Sequence, residues 1–335
     1  MSQVLIAPRQ RSGLPAKRIG RWAAAVVIVV ALAALPLMPF SNAYLVSVAV
    51  RALIFIMLGQ AWNIVAGVGG QLSLGHGVFF GVGAYASALL FNDFGLSPWI
   101  GIWVGAAVAV LLAVVIGLAT MRSRGVYFAL ATVAISLCFE KVGRYMTDLT
   151  GGDAGLAVNY RGTDPWAMQF RAPQAFLWID LAVVVAYFLF TRWLLHSRFG
   201  LRMQAVRDDE EAASASGVNV LAVKLAGLAV SAGMTAVVGT LHVQFYLSID
   251  PGTAFGLFQG IQIQLPALIG GLGTALGPVV GGAVAILLSE LTNWGATAYG
   301  VEGIDILVYG CVLLLVVLFA PRGIIGLFAG RRGRR

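Results

Sequence analysis

The stretch GVGGQLSLGHGVFFGVGAYASALL, residues 67 to 90, places Gly67, Gly69, Gly70, Gly75, Gly77, Gly81 and Gly83 in a chain otherwise composed for lipid. Each interior glycine costs an exposed helix about 1 kcal/mol relative to alanine. So dense a cluster weakens its own helix, and neighbours have to restore what it loses. Inside a bilayer glycine lets helices approach closely, and it lets the backbone break where protein or a water-filled path satisfies the freed groups. The expectation is an interrupted helix within a closely packed bundle.

The surrounding composition agrees with a bundle in lipid. The chain has 335 residues, 59% hydrophobic and 11% charged, with a mean hydropathy of +0.89, against roughly 25% charged for a soluble domain. Apolar runs recur from end to end, leaving no room for a soluble domain of useful size. The net charge of +8 falls in clusters beside the apolar runs, as topology signals do, rather than on a nucleic-acid surface. Cys138 and Cys311 each lie in an apolar run without partner spacing and read as small buried hydrophobes, not as a disulfide or metal site.

Ten apolar segments are expected, at about 22–40, 44–64, 71–91, 97–121, 126–146, 175–195, 224–247, 256–270, 277–291 and 304–320. An even number puts both termini on one side. Arg9, Arg11, Lys17, Arg18, Arg21, Arg122, Arg124, Arg198, Arg202, Arg207 and the run Arg331 to Arg335 then share that side, which the positive-inside rule makes the cytoplasm. Asp148, Asp153, Asp164, Asp250 and Glu302 fall opposite, with Arg161 and Arg171 as exceptions. The start of the chain resembles a secretory signal, but its long apolar stretch and the spans that follow favour an uncleaved first helix. This gives a basic tail at 1–21, a membrane domain at 22–321 and a second basic tail at 322–335. The glycine-interrupted pieces of 256–291 satisfy the charge rule equally well as one re-entrant hairpin.

That region also echoes the opening stretch. LSLGHGVFFGVGA (72–84) and GTALGPVVGGA (273–283) share an L-G-x step followed by apolar and small residues. Interruptions at corresponding positions of two halves point to a path through the bundle.

Hardware for catalysis is missing from the sequence. Lys17, Lys141 and Lys224 do not occur in a phosphate-cradling G-x-x-x-x-G-K-[ST] loop. His76, His196 and His242 are scattered without metal-ligand spacing, so neither a cofactor nor a metal is expected. Glu140 and Arg144 are four apart near a span's end and read as an interfacial ion pair rather than a proton relay. Lys141 stands beside them, and Arg51 and Glu290 also fall near span ends. His76 is either a packing group or a path-lining one.

The longest charged run, LRMQAVRDDEEAASASGVNVLAVKL at 201–225, lies between two spans. Within it Arg207 to Ser216 reads as one short helix, with acids at Asp208 to Glu211, small Ala212 and Ala213, and a stop at Gly217. Such a helix suits docking into a partner's groove.

Glu211-Ala212-Ala213-Ser214-Ala215-Ser216-Gly217 resembles the E-A-A-x-x-x-G signature of ABC-importer permeases, whose coupling helix seats in the ATPase subunit. The I-x-L-P that continues the broader pattern is absent at its spacing; IQLP occurs only at 263–266, inside a span. More specifically, the chain is similar to the branched-chain amino-acid permease family, LivM-type. GGQLSLGHGVFFGVGAYASALL carries that resemblance, together with SRGVYFALAT (123–132), LTGGDAGL (149–156) and LFAPRGIIG (318–326), in order over about residues 50–326.

The resemblance implies an all-α, polytopic permease of the ABC-importer fold in the bacterial inner membrane, with about eight to ten membrane segments, some broken or re-entrant. It implies a heterodimer with a second permease subunit, two ABC ATPase subunits and a periplasmic solute-binding protein, with no catalysis by this chain. Gln71, Ser73, Gly75, His76, Gly77, Phe79 and Phe80 are then expected to line a path, and Arg207, Asp208, Glu211, Ala212, Ala213 and Gly217, within a cytoplasmic segment 196–223, to couple it to the ATPase. The alternatives are a urea- or amide-type permease of the same family, an ion-coupled secondary transporter, which needs a buried, partnered acid near mid-bilayer, and a passive channel.

Overall fold

The computed structural model describes residues 42–121, 125–299, 311 and 323–325. The basic tail 1–21, the expected segment 22–40 and, apart from Cys311 and residues 323–325, everything expected beyond residue 299 lie outside these.

Helix α1, Ala43–Asn63, starts where the Asn42 side chain accepts from the Leu45 N–H at 2.8 Å, and runs on through a π-helical turn, Ile64–Val68. Next come α2 (His76–Phe94), α3 (Pro98–Thr120), α4 (Val126–Tyr145) and α5 (Gln174–His196). Two short helices follow, α6 (Arg198–Asp208) and α7 (Glu210–Ala215), then the long α8 (Val220–Tyr246). The described helices end with α9 (Pro251–Phe255), α10 (Leu257–Gly270) and α11 (Gly277–Tyr299). Among the described residues six helices, α1 with its π turn, α2, α3, α4, α5 and α8, are long and apolar enough to cross a membrane. The chain is an all-α, multi-pass membrane protein.

The fourteen residues of α10 rise only about 21 Å, short of the roughly 30 Å hydrocarbon core. It doubles back on α11 so closely that a methyl on Gly281 would strike the Pro266 carbonyl. Helix α11 then runs antiparallel to α1, with Gly282 against Ile56 and Glu290 paired to Arg51 at 2.7 Å. The 256–291 region is thus a helical hairpin held against α1.

Helices α1, α2 and α8 form the centre, where Trp62, Phe80, Phe91, Leu228 and Leu241 are fully enclosed. Lipid offers no hydrophobic drive between helices, so contact depends on close packing. A methyl on Gly83 would collide with the Ala236 backbone, and one on Gly239 with the Phe80 carbonyl. Helix α3 lies outside this core and exposes Trp103, Leu111 and Val115. Helix α4 buries only Phe128, Thr132, Ser136 and Gly143. Cys138 is exposed on that helix, which corrects the expectation that it is buried: a stripe this narrow covers only a fraction of the helix. Cys311 is exposed as well.

Residues 146–173 cap one end of the bundle. Strand β1 (Leu156–Ala157) pairs antiparallel with β2 (Ser248–Ile249), fixing the loop to the end of α8. Arg161, an exception to the charge pattern, sits 4.5 Å over the Phe91 ring and donates to the Phe91 carbonyl at 3.3 Å. Its charge is used locally.

Candidate functional site

The glycine stretch is where the backbone leaves helical geometry. After the π turn, Gly70 takes φ +73, a left-handed value glycine reaches without strain. The chain then turns back along α1 and stays non-helical to Gly75. Several of its polar groups find individual partners: Gly70 N–H donates to Ala66 O at 3.1 Å, Gln71 N–H to Val65 O at 3.0 Å, and Leu74 N–H to Thr132 Oγ1 at 3.0 Å. Ser73 O accepts from the Trp62 indole at 2.7 Å. Irregular backbone at this depth is stable only with such partners. The segment expected at 71–91 therefore becomes helical only at His76.

His76 opens α2 and reaches Ser231, near the middle of α8, so α2 begins inside the bundle. Ser231 Oγ donates to Ala61 O at 2.7 Å, so it accepts from His76 Nε2 at 2.8 Å, leaving Nδ1 to accept from Ser73 Oγ at 3.0 Å. Both ring nitrogens are satisfied by one chain of bonds joining α1, α2 and α8. His76 is buried, 1% exposed.

A second break faces the first. Between α9 and α10 the backbone extends at Gly256, and the Phe255 carbonyl accepts from Ser136 Oγ at 2.7 Å. A methyl on Gly77 would come within 3.3 Å of Ala254 O, and one on Gly260 within 2.6 Å of Leu74 O. Thr132 and Ser136, one turn apart on α4, thus each hold one break. The two echoing motifs also share a local structure, since Leu74-Gly75-His76 opens α2 and Leu276-Gly277-Pro278 opens α11.

Two cavities lie along the seam between segment 69–75, α4 and α8. One of about 10 Å³ touches Ser73, Gly75, Phe79 and Thr132, and one of about 80 Å³ touches Gln71 and Phe128. Among the expected path residues, Gln71, Ser73, Gly75 and Phe79 therefore line cavities. His76, Gly77 and Phe80 are packed, Phe80 edge-on to His242 with ring centres 5.1 Å apart.

At the end of the bundle where α6 and α7 lie, the expected helix over 207–216 is two helices. Asp209 breaks it: its backbone is extended and its Oδ1 accepts from Glu211 N–H at 2.9 Å and Ala212 N–H at 3.0 Å, an N-cap. Helix α7 stops at Gly217 with φ +82, and Val218 N–H returns to Ala213 O at 3.1 Å. Asp208, Glu211 and Ala212 are exposed. Ala213 points the other way, into a buried cluster with Ile64, Val68, Met203 and Val206, so it belongs to the chain's own packing rather than to an outward face. Arg207 ties the segment to the first break, donating from Nη1 to Gly67 O at 3.0 Å while Nη2 donates to Asp208 Oδ1 at 2.8 Å. Glu210 pairs with Lys224 of α8.

A family model described as branched-chain amino acid transport system / permease component matches residues 44–319. The chain belongs to that family. The high-affinity branched-chain amino acid transport system permease protein LivM of Escherichia coli is 25% identical over 303 residues, covering 84% of this chain and 69% of its own. Permease protein LivH of the same organism is 25% identical over 293 residues, covering 81% of this chain and 91% of its own. A probable LivM of Methanocaldococcus jannaschii is 24% identical over 302 residues, covering 80% and 84%. No solved structure matches.

Elsewhere in this permease one charged pair follows its helical spacing and others join distant parts of the chain. Arg144 holds Glu140 at 3.1 Å, four residues away, and also Asp153. Arg51 and Glu290, expected near span ends, instead lie about two turns into α1 and near the middle of α11, where they pair with each other and are joined by Tyr44, which donates to Glu290 Oε2 at 2.5 Å. Asp180 escaped the sequence reading. It is fully buried in α5, and neither carboxylate oxygen has a hydrogen-bond partner. The signal was present as a lone acid within an apolar run.

Proposed function

We propose that this permease is one of two membrane subunits of an ATP-driven importer in the bacterial inner membrane, moving branched-chain or related amino acids inward. ATP hydrolysis takes place in two docked ATPase subunits, and a periplasmic binding protein delivers the solute. Segment 196–223 and both termini lie in the cytoplasm, a threading supported by the basic clusters. The path runs along the glycine-rich break, at or beside the contact with the second permease. The capping loop 146–173 then faces the binding protein.

The observation that carries this reading is the tie between Arg207 and Gly67. The last turn of α6, two residues before the exposed helix α7 begins, is bonded directly to the π turn at which the membrane helix breaks. Relatives named as amino-acid permeases favour amino acids over urea as cargo. An ion-coupled transporter would leave α7 without a task. Such a transporter needs a buried, partnered acid, whereas the buried Asp180 has no hydrogen-bond partner and lies on α5, which lines neither seam cavity.

Copurification from native membranes tests the assembly, with two ATPase subunits and a second permease expected to accompany this chain. Reporter fusions at Asp208 and Arg335 test the threading, and both are expected to read as cytoplasmic. A chain that purifies alone, or an external reading at either fusion, contradicts the proposal.

A further inference from the structure

The two seam cavities are stacked in register. Phe128 and Thr132 are one turn apart on α4, Lys224 and Leu228 one turn apart on α8, and Leu72 and Ser73 are consecutive. The first of each pair lines the larger cavity and the second the smaller. The larger cavity, about 80 Å³, lies at the α7 end, and its lining includes Lys224, Glu210, Gln71, Leu72 and Phe128.

A full cation and a full anion meet in that wall. The Lys224 side chain is 7% exposed and that of Glu210 30%. Desolvating two such groups costs as much as, or more than, their attraction returns, and an apolar pair of similar size would hold the helices equally well. Packing alone therefore gives no reason for the charges. An amino acid carries the same two charges on neighbouring groups, with an apolar side chain beside them. An ammonium such as Lys224 donates to a carboxylate, a carboxylate such as Glu210 accepts from an ammonium, and Leu72 and Phe128 supply an apolar wall. When a zwitterion enters, each protein charge exchanges its partner for one of the same sign, so no charge is left bare.

We infer that this cavity is the site from which solute is released at the cytoplasmic side, with Lys224 taking the carboxylate and Glu210 the ammonium of a zwitterionic amino acid. The inference rests on the amino-acid reading above. Ligand sites span about 300–1,000 Å³, so the cavity as it stands is the closed form. Glu210 begins α7 and Lys224 lies on α8. Movement of α7 by a docked ATPase parts the two charges and opens the floor beneath Gln71, and their rejoining expels the solute.

The test uses the complete importer in proteoliposomes, with radiolabelled leucine as probe. The double variant Glu210→Gln/Lys224→Met removes both members of the pair together, so it is expected to assemble and to hydrolyse ATP. Leucine uptake is expected to fall about tenfold or more, the scale of one lost charge-assisted hydrogen bond. Wild-type uptake by the assembled double variant overturns the inference. In the wild-type background, Leu72→Cys is labelled with a small charged thiol reagent with and without excess leucine. Leucine is expected to slow that labelling, and an unchanged rate overturns the inference even where the double variant fails to assemble. Failure of the amino-acid reading looks different: the unmutated importer then moves neither leucine nor any other amino acid.

Discussion

Arg207 Nη1 donates to the Gly67 carbonyl at 3.0 Å, spanning 140 residues of sequence. One hydrogen bond thereby joins the end of α6 to the last turn before the backbone breaks. Its partner is a carbonyl in the π turn, where the regular helical ladder is already disturbed.

Removing that donor should loosen coupling more than folding. Arg207→Met keeps much of the side chain's apolar length and loses the bond, a change of about 1–3 kcal/mol at a charged donor. Insertion and pairing with the second permease are expected to persist. ATP-driven uptake is expected to drop several-fold, while ATPase activity responds less to solute. Uptake and ATPase stimulation measured together on reconstituted complexes check this.

Ala212 and Ala213 are neighbours with opposite environments, one exposed and one 5% exposed. A bulky side chain at Ala213 overpacks the cluster around Met203 and Val206, costing about 1–3 kcal/mol. Ala213→Phe is therefore expected to lower the melting temperature of the isolated permease. Ala212→Phe is expected to leave that temperature unchanged and to abolish copurification with the ATPase. Thermal unfolding and pull-down on both variants separate the two roles.

A methyl added at Gly217 would meet nothing within 4 Å, yet the backbone there has φ +82. Substitution is limited by backbone strain and not by space, with a left-handed penalty of about 1–2 kcal/mol that is largest for β-branched residues. Gly217→Val is expected to shift the exit of α7 and to reduce uptake and solute-stimulated ATP hydrolysis together. Gly217→Asn, which tolerates this geometry, should retain most of both. Equal uptake by the Val variant and wild type would remove Gly217 from the coupling role.

Asp180 offers a test between classes of transporter. An ionised carboxylate buried without a partner costs several kcal/mol, a cost the neutral amide avoids. Asp180→Asn is expected to match or exceed wild-type thermal stability and to leave ATP-driven uptake intact. Loss of uptake in a stable, assembled variant would make Asp180 an ion-coupling group.

Hydropathy made the six crossing helices legible, because each run is long enough to span on its own. It could not locate the start of α2, since Ser73 and Leu74 are as compatible with a helix as His76. What holds them out of helical geometry is Trp62 and Thr132, which are distant in sequence. The division between α6 and α7 was readable in principle. Asp209 followed by Glu210 and Glu211 is a good N-terminal signature, yet four consecutive acids also fit the first turns of a longer helix. The inward turn of Ala213 depends on Met203 and Val206, and no local pattern reveals that. Asp180 was hidden for a different reason: a window that averages hydropathy dilutes one acid among apolar neighbours.

The most direct measurement of the central claim is leucine uptake into proteoliposomes holding the complete complex, with ATP present or absent on the side that α7 faces and with no ion gradient. The account predicts inward transport that requires ATP and stops when ATP is withheld. Uptake without ATP, or uptake that needs a proton or sodium gradient, would contradict it.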